Sequence, residues 1–209
     1  ASDVYKRQII LCMKLTSNSP LKPKQSRSIK RLEEALLAAE NILIHKGIHA
    51  ITIKEVSITS GIKRPSLYKF FLNNESIIIA LREKHLKKLL AMFKANTSDV
   101  KFSESHAYIN LFIDLMSIYL NENINCSPIL LSNNIYTSSP SASDQITVSL
   151  SEEFIATLEM KNLIVNKTKI LNIFPIINAL FSQGFSNEML ISPRTVNETK
   201  RACLSYLSA

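Results

Sequence analysis

Residues 61–71 read GIKRPSLYKFF. Eleven positions hold a glycine, cations, a proline, a serine and three aromatic side chains, and the order matters more than the composition. Gly61 stands where a helix ends in a left-handed residue, a conformation that glycine adopts cheaply. A new helix then starts at Lys63 or Arg64, with Pro65 in its first turn, where a missing amide hydrogen costs nothing. It is expected to end around Phe71.

Upstream, TIKE (52–55) has capping-box spacing: the Thr52 hydroxyl can accept the Glu55 amide, and the Glu55 carboxylate can reach back to the cap. A short helix over about 53–60 follows. Before it, Ile29, Leu32, Leu36, Ala39 and Leu43 step by three and four, an amphipathic helix from Ser28 that stops near Gly47. Downstream, Asn73 is a sensible cap for a long helix through Ile78, Leu81, Leu89 and Phe93. Two short helices joined by a glycine turn, the second basic at its start, make a helix-turn-helix. In that motif the second helix enters the major groove of DNA.

The charge agrees. The chain carries +8 overall, but residues 22–101 hold 16 Lys and Arg against 7 Asp and Glu, whereas 102–209 hold 6 against 9. A basic front and a mildly acidic rear point to a polyanion at one end only. The rear continues in helical periods: Tyr108 to Tyr119, a shorter stretch over 127–136, one near 144–160, one through Ile173, Ile177, Leu180 and Phe181, and one near 194–207. TSSPSASD (137–144) reads as a loop, and Pro175 raises the question of a kink or a later start. The expected class is all-α.

The segment AITIKEVSITSGIKRPSLYKFFLNNESI (50–77) resembles the DNA-binding segment of TetR (tetracycline repressor) family transcription regulators. The likeness runs from about Arg27 to Phe93 and includes ALLAAENILIHKG, the capping Thr52, the G-x-x-x-P-S-L-Y-x-x-F run and Glu75 at the opening of the next helix. It implies a three-helix helix-turn-helix DNA-binding domain over 27–74, followed over 75–209 by a helical ligand-binding and dimerisation domain, with 75–96 as the linking helix. Lys63, Arg64, Ser66 and Lys69 are then expected to face the groove, Thr52 and Tyr68 the phosphates, and Lys54, Pro65 and Asn74 to lie at the same interface. Leu67 and Phe71 are expected in the core. For Tyr68, core packing with an exposed hydroxyl stays open, and Lys54 is equally readable as a solvated lysine.

Two departures from the family pattern are visible. Lys63 stands where a Ser or Thr usually caps the recognition helix, and it cannot accept an amide hydrogen. Ser57 replaces a small apolar residue and is expected to loosen the packing slightly.

The resemblance further implies an operator in double-stranded DNA, a small-molecule effector, and a homodimer through the last two helices, at about 169–185 and 194–208. Phe112, Met116, Tyr119, Tyr136, Phe154 and Phe174 are the candidates to line the effector site. No cofactor is expected. The place of action is the cytoplasm, which suits three widely spaced cysteines, at 12, 126 and 203.

Other chemistries lack their residues. Glycines at 47, 61 and 184 alone cannot write a GxGxxG or GxxxxGK phosphate loop. His45 and His49 have zinc-ligand spacing, but Gly47 between them ends the helix, so no metal site is expected. No nucleophile elbow accompanies any histidine, so the chain reads as a binding protein and not an enzyme. Apolar runs such as IIIAL (77–81) are far too short to span a bilayer. The competing reading is a basic helical protein that binds RNA or an anionic membrane surface without reading sequence.

At the N-terminus, DVYKRQ (3–8) is what GAT GTG TAT AAG AGA CAG encodes, which resembles a transposase mosaic end. Residues 1–12 are accordingly read as adapter read-through and not as a signal peptide, with Met13 as the expected start. The basic, proline-containing NSPLKPKQS (18–26) completes an expected disordered arm over 1–26.

Overall fold

Gly47 and Gly61 both take positive φ, 78° and 70°, and they follow the first two α-helices among the described residues. The computed structural model describes residues 26–98, 105–131, 151–152, 154–160, 162–163 and 166–208. Helix α1 (Ser26–Lys46) is followed by a 3-10 turn (Ile48–Ala50), α2 (Ile53–Ser60), α3 (Arg64–Leu67) and α4 (Asn74–Thr97). Then come α5 (Ser105–Glu122), α6 (Ser127–Leu131), helical residues 154–160, α7 (Lys167–Glu188) and α8 (Pro193–Ser208). No strand occurs among the described residues. The fold is all-α, as the periodicities require.

The chain divides into two compact units, parting between Leu81 and Arg82. In the first, α1 packs on α2 and α2 on α3. Leu36, Ala39 and Leu43 of α1, Ile53 and Val56 of α2, and Leu67 and Phe71 are buried. Ile29, assigned to the same apolar stripe, is 43% exposed because it lies only one turn inside the helix start. Asn73 caps α4 as expected: its side chain accepts the Ser76 amide at 2.9 Å, and the Asn73 amide donates to the Ser76 hydroxyl at 3.2 Å. The serine returns the bond, so a capping box forms there with Ser in the place of Glu.

The second unit closes around aromatic rings. Phe93 meets Tyr108 and Phe112 edge-on, at centroid distances of 4.8 and 5.1 Å, and stacks on Phe154 at 5.4 Å. Such offset and edge geometries suit the quadrupoles of the rings. Polar ties join the surrounding helices. Lys200 of α8 reaches Asp114 of α5 at 2.6 Å, and Asn121 clasps both backbone groups of Ile191 at 2.8 and 2.9 Å.

α7 runs unbroken through Pro175, which answers the question of a late start. Pro175 and Leu171, whose carbonyl loses its helical donor there, are both on the exposed side. The helix starts where the Asn166 side chain accepts the Lys169 amide at 3.2 Å. Ser192 precedes Pro193, the first residue of α8, and its hydroxyl takes the Thr195 amide at 3.4 Å.

α7 and α8 cross closely at Gly184. A Cβ on that residue would stand 2.6 Å from both Thr195 Cγ2 and Thr195 Oγ1. A cleft of about 250 Å³ opens beside this crossing, lined by Leu180, Gln183, Asn187, Glu188, Arg194 and Glu198 with the crossing pair. Among the described residues no helix is long and apolar enough to cross a membrane.

Candidate nucleic-acid interface

The turn at Gly61 is built from α2. Thr52 caps that helix, accepting the Glu55 amide at 3.1 Å. The reciprocal half of the expected capping box is not made: the Glu55 carboxylate lies 2.9 Å from Lys46 Nζ at the end of α1. A full charge attracts it more than a neutral amide does. That lysine, through its hydrogen bond first and its charge second, holds the Glu55 carboxyl below the usual carboxylate range. In place of the box, the Asn74 side-chain oxygen accepts the Ile53 amide at 2.9 Å from 21 residues away. Among the described residues the Lys54 amide alone is then left without a partner in the first turn of α2.

α3 is shorter than expected. The helix spans Arg64–Leu67; beyond it the Lys69 amide donates to the Ser66 carbonyl (3.3 Å), and the Phe70 and Phe71 amides both donate to the Leu67 carbonyl (2.9 Å each). Leu67, Phe70 and Phe71 are all buried, at 0%, 6% and 0% exposure, as the three- and four-residue spacing from Leu67 allows.

The other face of this segment is open. Lys63, Arg64, Pro65, Tyr68 and Lys69 are exposed, Ser66 is half-buried, and Lys54 is exposed on α2. Tyr68 is 54% exposed, so its ring is not a core group. Among the described residues no ion pair engages Lys54, Lys63, Arg64 or Lys69, in contrast to Lys46. Lys63 occupies the cap position of α3 without a side-chain capping bond, as its chemistry demands. Thr52 is half-buried; its hydroxyl accepts the Glu55 amide and keeps its own proton to donate.

Ser57 takes a polar role at the turn. Its hydroxyl donates to the Ile62 carbonyl at 2.7 Å, across the turn. Ser60 adds a second tie, donating to the Val56 carbonyl at 2.6 Å and accepting the Ile62 amide at 3.2 Å. The sequence signal was present as two serines in the last turn of a helix that ends in glycine, where hydroxyls can serve backbone groups left without helical partners.

Of the residues assigned to an effector, Phe112, Phe154 and Phe174 converge. Their centroids are 4.9 to 5.6 Å apart, and all three are buried. Tyr119 is buried and bonds His85 Nδ1 at 2.7 Å through its hydroxyl, while Met116 is half-buried against the same core. Tyr136 lies outside the described residues.

No protein-family model and no curated protein matches the sequence. Solved structures do match in fold. A TetR-family transcriptional regulator from Streptomyces coelicolor superposes with a TM-score of 0.67 at 14% identity, covering 85% of this chain and 98% of that one. A TetR transcriptional regulator from Rhodococcus sp. RHA1 gives 0.66 at 14%, covering 88% and 98%. The regulator FadR from Bacillus subtilis, in complex with stearoyl-CoA, gives 0.59 at 12%, covering 84% and 97%. The chain therefore shares the fold of these regulators, with an N-terminal helix-turn-helix and a C-terminal helical bundle.

Proposed function

We propose that the protein is a sequence-specific, DNA-binding transcription regulator of the TetR type, which binds a palindromic operator as a homodimer and releases it when a small molecule binds the second domain. The observation that carries this reading is the two-sidedness of the helix-turn-helix. Its apolar side is buried, while the other side presents cations with no ion pair, and an amide with no partner, among the described residues. Such a face matches DNA: Arg64 suits a bidentate bond to guanine, Lys63 and Lys69 add charge, and Ser66 can serve base or phosphate. A phosphate oxygen would take the Lys54 amide and the Thr52 hydroxyl together, with Tyr68 beside them.

In this reading residues 27–74 are the DNA-binding domain and 75–209 the effector and dimerisation domain. FadR shows that this fold can hold an acyl-CoA. Here an apolar effector would enter among Phe112, Met116, Tyr119, Phe154 and Phe174, favouring a conformer in which the packed rings part. α7 and α8 would pair with their copies, setting the two recognition helices about 34–36 Å apart for successive major grooves. A regulator of this kind acts where the genome is, in the cytoplasm.

The test is selection of binding sites from random duplex DNA by the full chain at near-physiological salt. Recovery of a two-fold symmetric sequence supports the proposal. Binding with no sequence enrichment, abolished by moderate salt, favours the alternative, a basic helical protein that holds RNA or an anionic surface by charge alone.

A further inference from the structure

Ile62 is the last residue before the basic start of α3, and side chains of α2 hold both of its backbone groups. Ser57 Oγ donates to its carbonyl at 2.7 Å, and its amide donates to Ser60 Oγ at 3.2 Å. Gly61, left-handed and with nothing within 4 Å of where a Cβ would stand, supplies no packing of its own. α3 is one helical turn long, and Lys63 gives it no side-chain cap. Its far end is anchored by Leu67 and Phe71, both fully buried. Its near end, which carries Lys63 and Arg64, is anchored through Ile62.

We infer that Ser57 is a specificity-determining positioning residue: its hydroxyl fixes the direction in which α3 leaves the turn, and so the register of Arg64 against the base edges. This rests on the DNA-binding reading above. Ser60 restrains the amide side, but its bond to Ile62 is the longer, and its proton is committed to the Val56 carbonyl at 2.6 Å. The Ile62 carbonyl, one peptide from Lys63, depends on Ser57. Without the hydroxyl, α3 keeps its core anchor and its charge but gains freedom at the end that reads sequence. Phosphate attraction tolerates such freedom, because charge acts over several ångströms, whereas a bidentate base contact does not.

The test compares Ser57→Ala and Ser57→Thr with the unaltered chain, on the selected duplex and on a scrambled duplex at one salt concentration, with thermal melting alongside. Ser57→Ala is expected to lose about fivefold in affinity for the selected duplex, the loss of one hydrogen bond. Its affinity for the scrambled duplex should not change, and Ser57→Thr, which keeps the hydroxyl, should restore the preference. Equal losses on both duplexes in Ser57→Ala, or no loss on either, would overturn the inference.

Hydrogen exchange of the free protein separates the two readings. If the unaltered chain prefers neither duplex, the DNA-binding reading fails. Faster exchange of the Ser66 and Leu67 amides in Ser57→Ala, with α1 unchanged, would still support the anchoring role. Unchanged exchange at those amides would sink it.

Discussion

Arg64 is the residue on which sequence reading should depend most, because its planar fork is exposed at the start of α3 and no described residue pairs with it. Arg64→Ala is expected to cost about 1–3 kcal/mol on the selected site and to relax the preference at one position in each half-site. Repeating the selection with the variant checks this, and an unchanged motif would remove Arg64 from the reading. Thr52 differs, since it caps α2 whatever else it touches. Thr52→Ala should lower stability by about 1 kcal/mol in urea unfolding. Only an affinity loss beyond that measured amount is evidence of a phosphate contact.

On the proposed reading α2 and α3 divide the labour. Lys54 is exposed on α2 and carries the amide left without a partner there, so Lys54→Ala should weaken all duplexes alike and reduce the salt slope by about 1 per monomer bound. Titration of binding at several salt concentrations reads this directly. At the other end of the chain, the crossing of α7 and α8 depends on a missing side chain. Gly184→Ala sets a methyl group 2.6 Å from two atoms of the buried Thr195, and rotation of the threonine can turn its hydrogen toward only one of the two positions. A loss of about 1–3 kcal/mol in the urea unfolding of the second unit is expected. Leu171, Pro175, Ala179 and Gln183 form an exposed line along α7. If that face meets its copy, Ala179→Arg should yield a monomer in sedimentation while leaving the helical content intact.

For the whole molecule, charge and burial set the response to pH. Burial pushes the Cys203 thiol from 9.0 up to about 11 and the Tyr108 hydroxyl from 10.0 up to about 12. In the unfolded chain both groups ionise at their ordinary values, so the unfolded state loses its protons first. Stability should therefore be full below about pH 9 and fall as the pH rises toward the folded values. Urea midpoints at increasing pH test this, and the fall between pH 9 and 11 should shrink in Cys203→Ala. The same burial keeps the thiol protonated at neutral pH, so Cys203 should resist alkylation until the unit unfolds.

What the sequence determined by itself was local. The glycine stops, the Thr52 and Asn73 caps and the proline-led start of α3 all follow from signals within a few positions of one another, whereas the burial of Leu67 and Phe71 was implied by the family resemblance. Backbone conformation and helical period act over that range. The outward place of the cations was implied by the same resemblance. The tertiary structure decided which partner each polar group took. Glu55 pairs with Lys46 nine residues away, Asn74 reaches Ile53 across 21, and Lys200 meets Asp114 across 86. It also decided that Phe112, Phe154 and Phe174, assigned to an effector, pack against one another, and that Gly184 serves a helix crossing. These outcomes depend on how close separate helices come, and apolar burial sets that spacing before any polar side chain finds its partner.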